Sequence, residues 1–261
     1  VLSVVGGDVA APAVSLLNGR YVMWAAHGDG ATWTHATAWS YDGLQWFDFT
    51  DELASSVTYD PLRPPRIGLD ADATGAWRVE GESAGLQASQ VASGFTYIQG
   101  DLGFSFRLAN GFELGAGVSG ATSNRGISPG SWVEIGGVPT LFATTWSISE
   151  RPYIAVLQDT GDGTLEAEVE DVFAPGTLGN DAGVESPTVF HDGSQWVMLL
   201  GGRNAADVVR IHRATSPDGL VWTMKGLEVV PVSDSWDSVE QQPRSVVQTS
   251  SGFRLYYGGF D

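Results

Sequence analysis

The sequence predicts an all-β fold: a single five-bladed β-propeller over residues 1–261, with four-stranded antiparallel blades. Three observations carry that expectation. The stretch ATSPDGLVW (214–222) returns almost intact as AWSYDGLQW (38–46), with Ser, Asp, Gly and Trp in one register. Prolines at 12, 65, 129, 187 and 243 each sit in a similar strand–turn–strand pattern, 53 to 64 residues apart. The composition, with 34 Gly, 12 Pro, 10 Trp, 11 Phe and 7 Tyr, suits many short strands joined by tight turns.

The first and fourth units define the repeat. APAVSLLNGRYVMW (11–24) aligns with SPTVFHDGSQWVML (186–199), pairing Pro12 with Pro187 and Val14 with Val189. Each reads as a strand, a turn at Asn18-Gly19 or Asp192-Gly193, and a second strand rich in aromatic and β-branched residues. A third strand leads into the Ser-x-Asp-Gly turn, and Trp46 or Trp222 opens a fourth. In that turn Asp42 and Asp218 can accept hydrogen bonds from backbone amides, while Gly43 and Gly219 permit the left-handed conformation. The tryptophans supply apolar plugs between neighbouring sheets. These aspartates are therefore structural, not catalytic.

The remaining units are degenerate copies: PPRIGLDADATGAWRVEG (64–81), SPGSWVEIGGVPTLFAT (128–144) and QPRSVVQTSSGFRLYYGG (242–259). The last stops at Asp261 before a third strand. VLSVV (1–5) is expected to complete it, so that strands from both termini close the ring. No helical periodicity competes with this reading.

Charge narrows the partners. Thirteen basic residues stand against 31 acidic ones, a formal net charge of −18. Such a surface repels phosphate backbones, which argues against nucleic acid and anionic membranes. Without Cys there are no disulfides or thiolate metal sites. No apolar run approaches a membrane span. A chain that opens on Val1 suggests a removed leader, hence an extracellular or periplasmic monomer. His27, His35, His191 and His212 show no ligand spacing, and no phosphate loop or nucleophile elbow is present, so neither a metal nor a cofactor is expected.

The innermost strands of a propeller line its channel, whose mouth is the natural ligand site. Two residues before the anchor prolines stand Ala10, Arg63, Ile127, Glu185 and Gln241. Glu185 alone carries a carboxylate there. Arg66 and Arg244 directly follow their prolines and offer ion-pair partners for Glu185, or a bidentate grip on a sugar carboxylate or sulfate. Trp24 belongs to a set of tryptophans beyond what the turns need, suited to stacking a sugar ring.

Five units, Ser-x-Asp-Gly-x-x-Trp turns, the Tyr256-Tyr257-Gly258-Gly259 strand and Glu185-Ser186-Pro187 together resemble the five-bladed glycosidases. These comprise family 43 arabinofuranosidases and xylosidases, with fructan-cleaving families 32 and 68 as cousins. The resemblance implies carbohydrate at the channel mouth, and makes Glu185 the counterpart of the general acid in the family's Glu-Gly-Pro. Glycoside cleavage needs a protonated carboxyl at the leaving oxygen and a second carboxylate acting on water or the sugar. Burial that raises a carboxyl pKa keeps such a proton available. Family 43 places Asp directly before the proline in the first and third blades, where this chain has Ala11 and Ser128. Asp8 and Asp60 are the nearby acids for the base, so the catalytic trio is incomplete. Related propellers hold a calcium in the channel, which the resemblance leaves open here. The alternatives are a non-catalytic glycan-binding propeller and a protein-interaction propeller. A sialidase-like reading is set aside, because its turn spacing differs and the blades here are too few.

Overall fold

The computed structural model describes residues 8–17, 19–28, 33–54, 66–69, 76–80, 87–90, 106–107, 113–114, 126–146, 151–159, 164–169, 171–173, 182–230 and 235–260. Every regular element among them is a β-strand. Residues 1–5, Asp60 and Arg63 lie outside the described residues.

Strands β1 (Asp8–Leu17), β2 (Arg20–Gly28), β3 (Trp33–Ser40) and β4 (Phe47–Ala54) form an antiparallel sheet in chain order. The strands β5 (Arg66–Leu69), β6 (Ala76–Glu80) and β7 (Gln87–Gln90) form a second. A third takes β10 (Gly126–Ile135), β11 (Val138–Trp146), β12 (Pro152–Asp159) and β13 (Thr164–Val169). It is extended by β9 (Glu113–Leu114), parallel to β13, and then β8 (Phe106–Arg107), an addition that the repeat pattern did not foreshadow. The fourth sheet runs β14 (Gly183–His191), β15 (Trp196–Arg203), β16 (Val209–Ser216) and β17 (Thr223–Leu227). Finally, β18 (Glu240–Thr249) and β19 (Gly252–Phe260) form a hairpin joined to β16 by one parallel pair, Val209 with Glu240.

The anchor prolines mark one recurring irregularity. In β1, β10, β14 and β18 the register slips at the proline: between Ala10 and Ala13, Pro129 and Ser131, Glu185 and Thr188, and Pro243 and Ser245. A proline has no N–H to give the ladder, so a bulge is where a strand tolerates it. Just past the bulge the chain reaches its neighbour. The Val189 amide donates to Ser131 Oγ at 2.7 Å, and the Val14 amide donates to Ser245 Oγ at 3.0 Å. These bonds are equivalent, each joining residues two past an anchor proline in two different sheets. In turn, β1 touches β5 and β18, β10 touches β5 and β14, and β14 touches β18.

The Ser-x-Asp-Gly turns form as the sequence predicts. Asp42 Oδ1 accepts from the Leu44 and Gln45 amides, and Asp218 Oδ1 from those of Leu220 and Val221, all at 2.8–2.9 Å. Ser40 and Ser216 each accept from the turn glycine's amide at 2.8 Å. The amides of Gln45 and Leu44 hold Asp42 below the usual carboxylate range, and those of Val221 and Leu220 do the same for Asp218. Gly43 and Gly219 take φ of 70° and 81°. A side chain on Gly219 would strike Ile135 of the third sheet; one on Gly43 would strike Arg254 and Tyr256 of the last. The tryptophans that follow pack across the same seams. Trp222 meets Phe142 edge-on at 5.7 Å, and Trp46 meets Tyr256 at 6.0 Å.

The core accordingly lies between sheets. Phe142, Ile154, Met198 and Leu200 fill the seam between the third and fourth sheets, and all are fully buried. Val14, Tyr21, Met23 and Val247 fill the seam between the first and last. Each large apolar side chain so buried contributes about 1.5–3 kcal/mol.

Candidate functional site

The position two residues before an anchor proline falls near the start of β1, β10, β14 and β18. Across the described strands it holds Ala10, Ile127, Glu185 and Gln241, facing Ala26, Thr145, Gly201 and Gly259 in register. Polar side chains thus gather at the starts of β14 and β18, which touch each other.

Glu185 is 3% exposed. Its Oε1 accepts from Arg203 Nη2 at 2.6 Å, and the other arm of the same guanidinium donates to Asp207 Oδ1 at 2.6 Å. Burial opposes the Arg203 charge, but the Glu185 and Asp207 carboxylates outweigh it and hold the guanidinium more firmly protonated than usual. Sheet geometry explains the pairing. Gly201 faces Glu185 across the ladder, and Arg203, two residues on, shares its face. A Cβ on Gly201 would come within 3.3 Å of Glu185 Cγ and 3.0 Å of Val209, so the absent side chain leaves room for the carboxylate's stem. Next along β14, Ser186 sits at φ 55°, and its amide donates to Thr144 Oγ1 at 2.8 Å. Such a conformation costs a non-glycine residue roughly 1–2 kcal/mol.

Gln241 is fully buried and held from the opposite side of the charge scale. Its Nε2 donates to Asp237 Oδ2 at 2.8 Å, and Tyr257 Oη donates to the same oxygen at 3.0 Å. The Ser235 hydroxyl donates to Asp237 Oδ1. Burial alone would raise the Asp237 pKa, but the three donors, Ser235, Gln241 and Tyr257, bring it below the usual range. Burial and the Asp237 contact push the Tyr257 hydroxyl up to about 12. Gln241 Oε1 is buried without a donor.

Of the other residues singled out by sequence, Asp8 opens β1 opposite Gly28, and Trp24 pairs with Ala13 and Thr37 on β2. Arg66 opens β5 opposite Val79. Arg244 donates to Gln242 Oε1 on its own strand. Sequence reasoning offered Arg66 and Arg244 as partners for Glu185, and it missed Arg203, Asp207 and Asp237. The available signal was Gly201-Gly202-Arg203, which places a cation two residues beyond a small one on the facing strand. Among the described residues no group of three or more His, Asp or Glu is arranged to hold a metal.

No family model and no curated protein sequence matches the chain. Solved structures do. A structure described as a glycoside hydrolase aligns over 97% of this chain and 83% of its own, with 13% identity and a TM-score of 0.64. A thermostable family-43 glycoside hydrolase aligns over 97% and 85%, with 17% identity and a TM-score of 0.59. The β-1,2-mannobiose phosphorylase of Listeria innocua, in complex with β-1,2-mannobiose, aligns over 98% and 88%, with 11% identity and a TM-score of 0.60. The chain spans 61% of the length of a glycosyl hydrolase from Bacteroides ovatus, with a TM-score of 0.42. The all-β architecture is therefore similar to the fold of these glycoside hydrolase and phosphorylase structures.

Proposed function

We propose that the chain is a five-bladed propeller whose central mouth binds oligosaccharide, with Glu185 locked in a structural ion pair instead of serving as an acid. Three features support the blade count. The innermost strands touch in the cyclic order β1, β5, β10, β14, β18 and back to β1. The fourth sheet's turn clamps the third, while the first sheet's turn clamps the last, as the same step does across a ring's closing seam. The last sheet lacks outer strands among the described residues, which leaves β19 an edge for residues 1–5 to complete.

The observation that carries the functional reading is the Glu185–Arg203 pair. A general acid must carry a proton and reach the leaving oxygen. Glu185 is 3% exposed, and an oxygen of its carboxylate is engaged by a guanidinium at 2.6 Å. The second reading, a glycoside hydrolase, is favoured by the match of Glu185-Ser186-Pro187 to Glu-Gly-Pro. The φ of 55° at Ser186 is one that glycine adopts without strain. In that reading Glu185 leaves Arg203, and Asp8, Asp60 or Asp207 supplies the second carboxylate.

A glycan array and an aryl-glycoside panel, each run with wild type and Glu185→Gln, separate the two. Retention of oligosaccharide by both proteins, with no cleavage, supports the binding reading. Turnover by wild type that falls about 10²–10⁴-fold in the variant would establish the hydrolase instead.

A further inference from the structure

The turn before β18 displays a tryptophan that the repeat does not explain. Trp236 is 39% exposed, yet it lies on a firmly held support. Its ring stacks on Tyr257 at 5.4 Å with an interplanar angle of 25°. The next residue, Asp237, is buried and takes three hydrogen bonds. The Ser238 amide closes the turn on the Ser235 carbonyl at 2.9 Å, and Arg210 donates to the carbonyls of Ser238 and Val239. Gly259 makes the approach feasible, since a Cβ there would stand 2.6 Å from both Trp236 Cζ3 and Asp237 Cβ. Buried Asp237 on one side and the stacked Tyr257 ring beneath fix the exposed indole's orientation before any ligand arrives, which lowers the ordering cost of binding.

Beneath the turn lies the acceptor Gln241 Oε1, buried without a donor. A buried amide oxygen without a protein donor can accept a hydrogen bond from a water that a ligand hydroxyl holds. It occupies the same repeat position in β18 that Glu185 occupies in the neighbouring β14.

We propose that Trp236 and Gln241 form a sugar subsite at the β18 side of the mouth. The apolar C–H face of a neutral sugar ring stacks on Trp236, and a ring hydroxyl reaches the buried Gln241 Oε1 through one water. Neutral sugars are the class that fits. Asp237 stands beside the subsite, the nearby Arg210 guanidinium is taken up by the Ser238 and Val239 carbonyls, and the chain's net charge is −18, which together disfavour uronic acids. This inference rests on the oligosaccharide-binding reading and assigns it a place.

The test titrates wild type, Trp236→Ala and Trp236→Phe with xylohexaose, arabinohexaose, β-1,2-linked mannohexaose and hexagalacturonate by calorimetry. At least one neutral hexasaccharide should bind wild type. Trp236→Ala should weaken it about tenfold or more and Trp236→Phe less, as loss of an aromatic stacking face predicts. Hexagalacturonate should bind more weakly than that neutral hexasaccharide. As a readout on unaltered protein, the bound neutral sugar should protect Trp236 from oxidation by N-bromosuccinimide, mapped by peptide mass spectrometry. If wild type binds a hexasaccharide but Trp236→Ala binds it equally and Trp236 stays oxidisable, the subsite is refuted while the binding reading stands. Tighter binding of hexagalacturonate would overturn the assignment to neutral sugars. If wild type binds none of the four, the binding reading itself falls, and the subsite with it.

Discussion

At the start of β14 a buried carboxylate, Glu185, is held by the cation Arg203; at the start of β18 a buried amide, Gln241, is held by the anion Asp237. Both side chains stand two residues before an anchor proline, and both face a glycine across the ladder. The repeat thus fixes a location and a geometry while leaving the chemistry free. At the equivalent places on β1 and β10 it holds Ala10 and Ile127, and no comparable device is possible. Among the described strands, then, a polar side chain stands at this place only on β14 and β18, which touch each other.

The largest expected effect breaks the β14 arrangement. Arg203→Met should cost about 3–5 kcal/mol, because a buried carboxylate loses its cation. Urea unfolding checks it, and the double change Arg203→Met with Glu185→Leu should recover much of the loss. Full stability in the single variant would mean that the pair is not buried in solution. Asp237→Ala should come next, at about 3 kcal/mol, since it strands the Gln241 amide and the Tyr257 hydroxyl.

The facing glycines sharpen the contrast. Gly259→Ala should cost about 2–3 kcal/mol and detach Trp236, because the added carbon meets the backbone of Asp237 as well as the indole. Gly201→Ala meets only side-chain carbons and the Glu185 backbone oxygen at 3.0–3.4 Å and should cost about 1 kcal/mol. Equal effects would show that the two starts are packed alike. Smaller still, Ser186→Gly should gain up to about 1 kcal/mol by relieving φ 55°, whereas Gln242→Gly, at the matching place in β18 without positive φ, should lose stability.

Acid should also separate the regions. Asp237 has a folded pKa below the ordinary value of 3.8, so its contribution is complete above that value and is lost as pH falls through the lowered one. Asp192, brought to about 2 by the amide and hydroxyl of Ser194, behaves the same way in the β14–β15 turn. Stability measured from pH 5 to pH 2 should fall in wild type and fall less in Asp237→Asn. An unchanged slope would place the acid sensitivity elsewhere.

Much of the architecture was legible in residues that recur. Ser40, Asp42, Gly43 and Trp46 announced a turn and a plug that Ser216, Asp218, Gly219 and Trp222 repeat, with the same serine and aspartate hydrogen bonds. Pro12, Pro129, Pro187 and Pro243 each sit at a bulge because the missing N–H is a local property, and Pro65 lies outside the described residues. Glu185 was legible as an isolated carboxylate at a repeated place. Its partner was not, because Arg203 reaches it only through the register between β14 and β15. Asp237 and Trp236 stand in a turn outside the repeat, where no pattern distinguished them, and β8 and β9 are too short to show a period.

The most direct measurement of the central claim is a crystal structure of the wild-type protein with an oligosaccharide retained from the array. The account predicts sugar across the starts of β14 and β18, one ring stacked on Trp236, and Glu185 still bonded to Arg203. A Glu185 carboxyl turned away from Arg203 and placed against a glycosidic oxygen would contradict it.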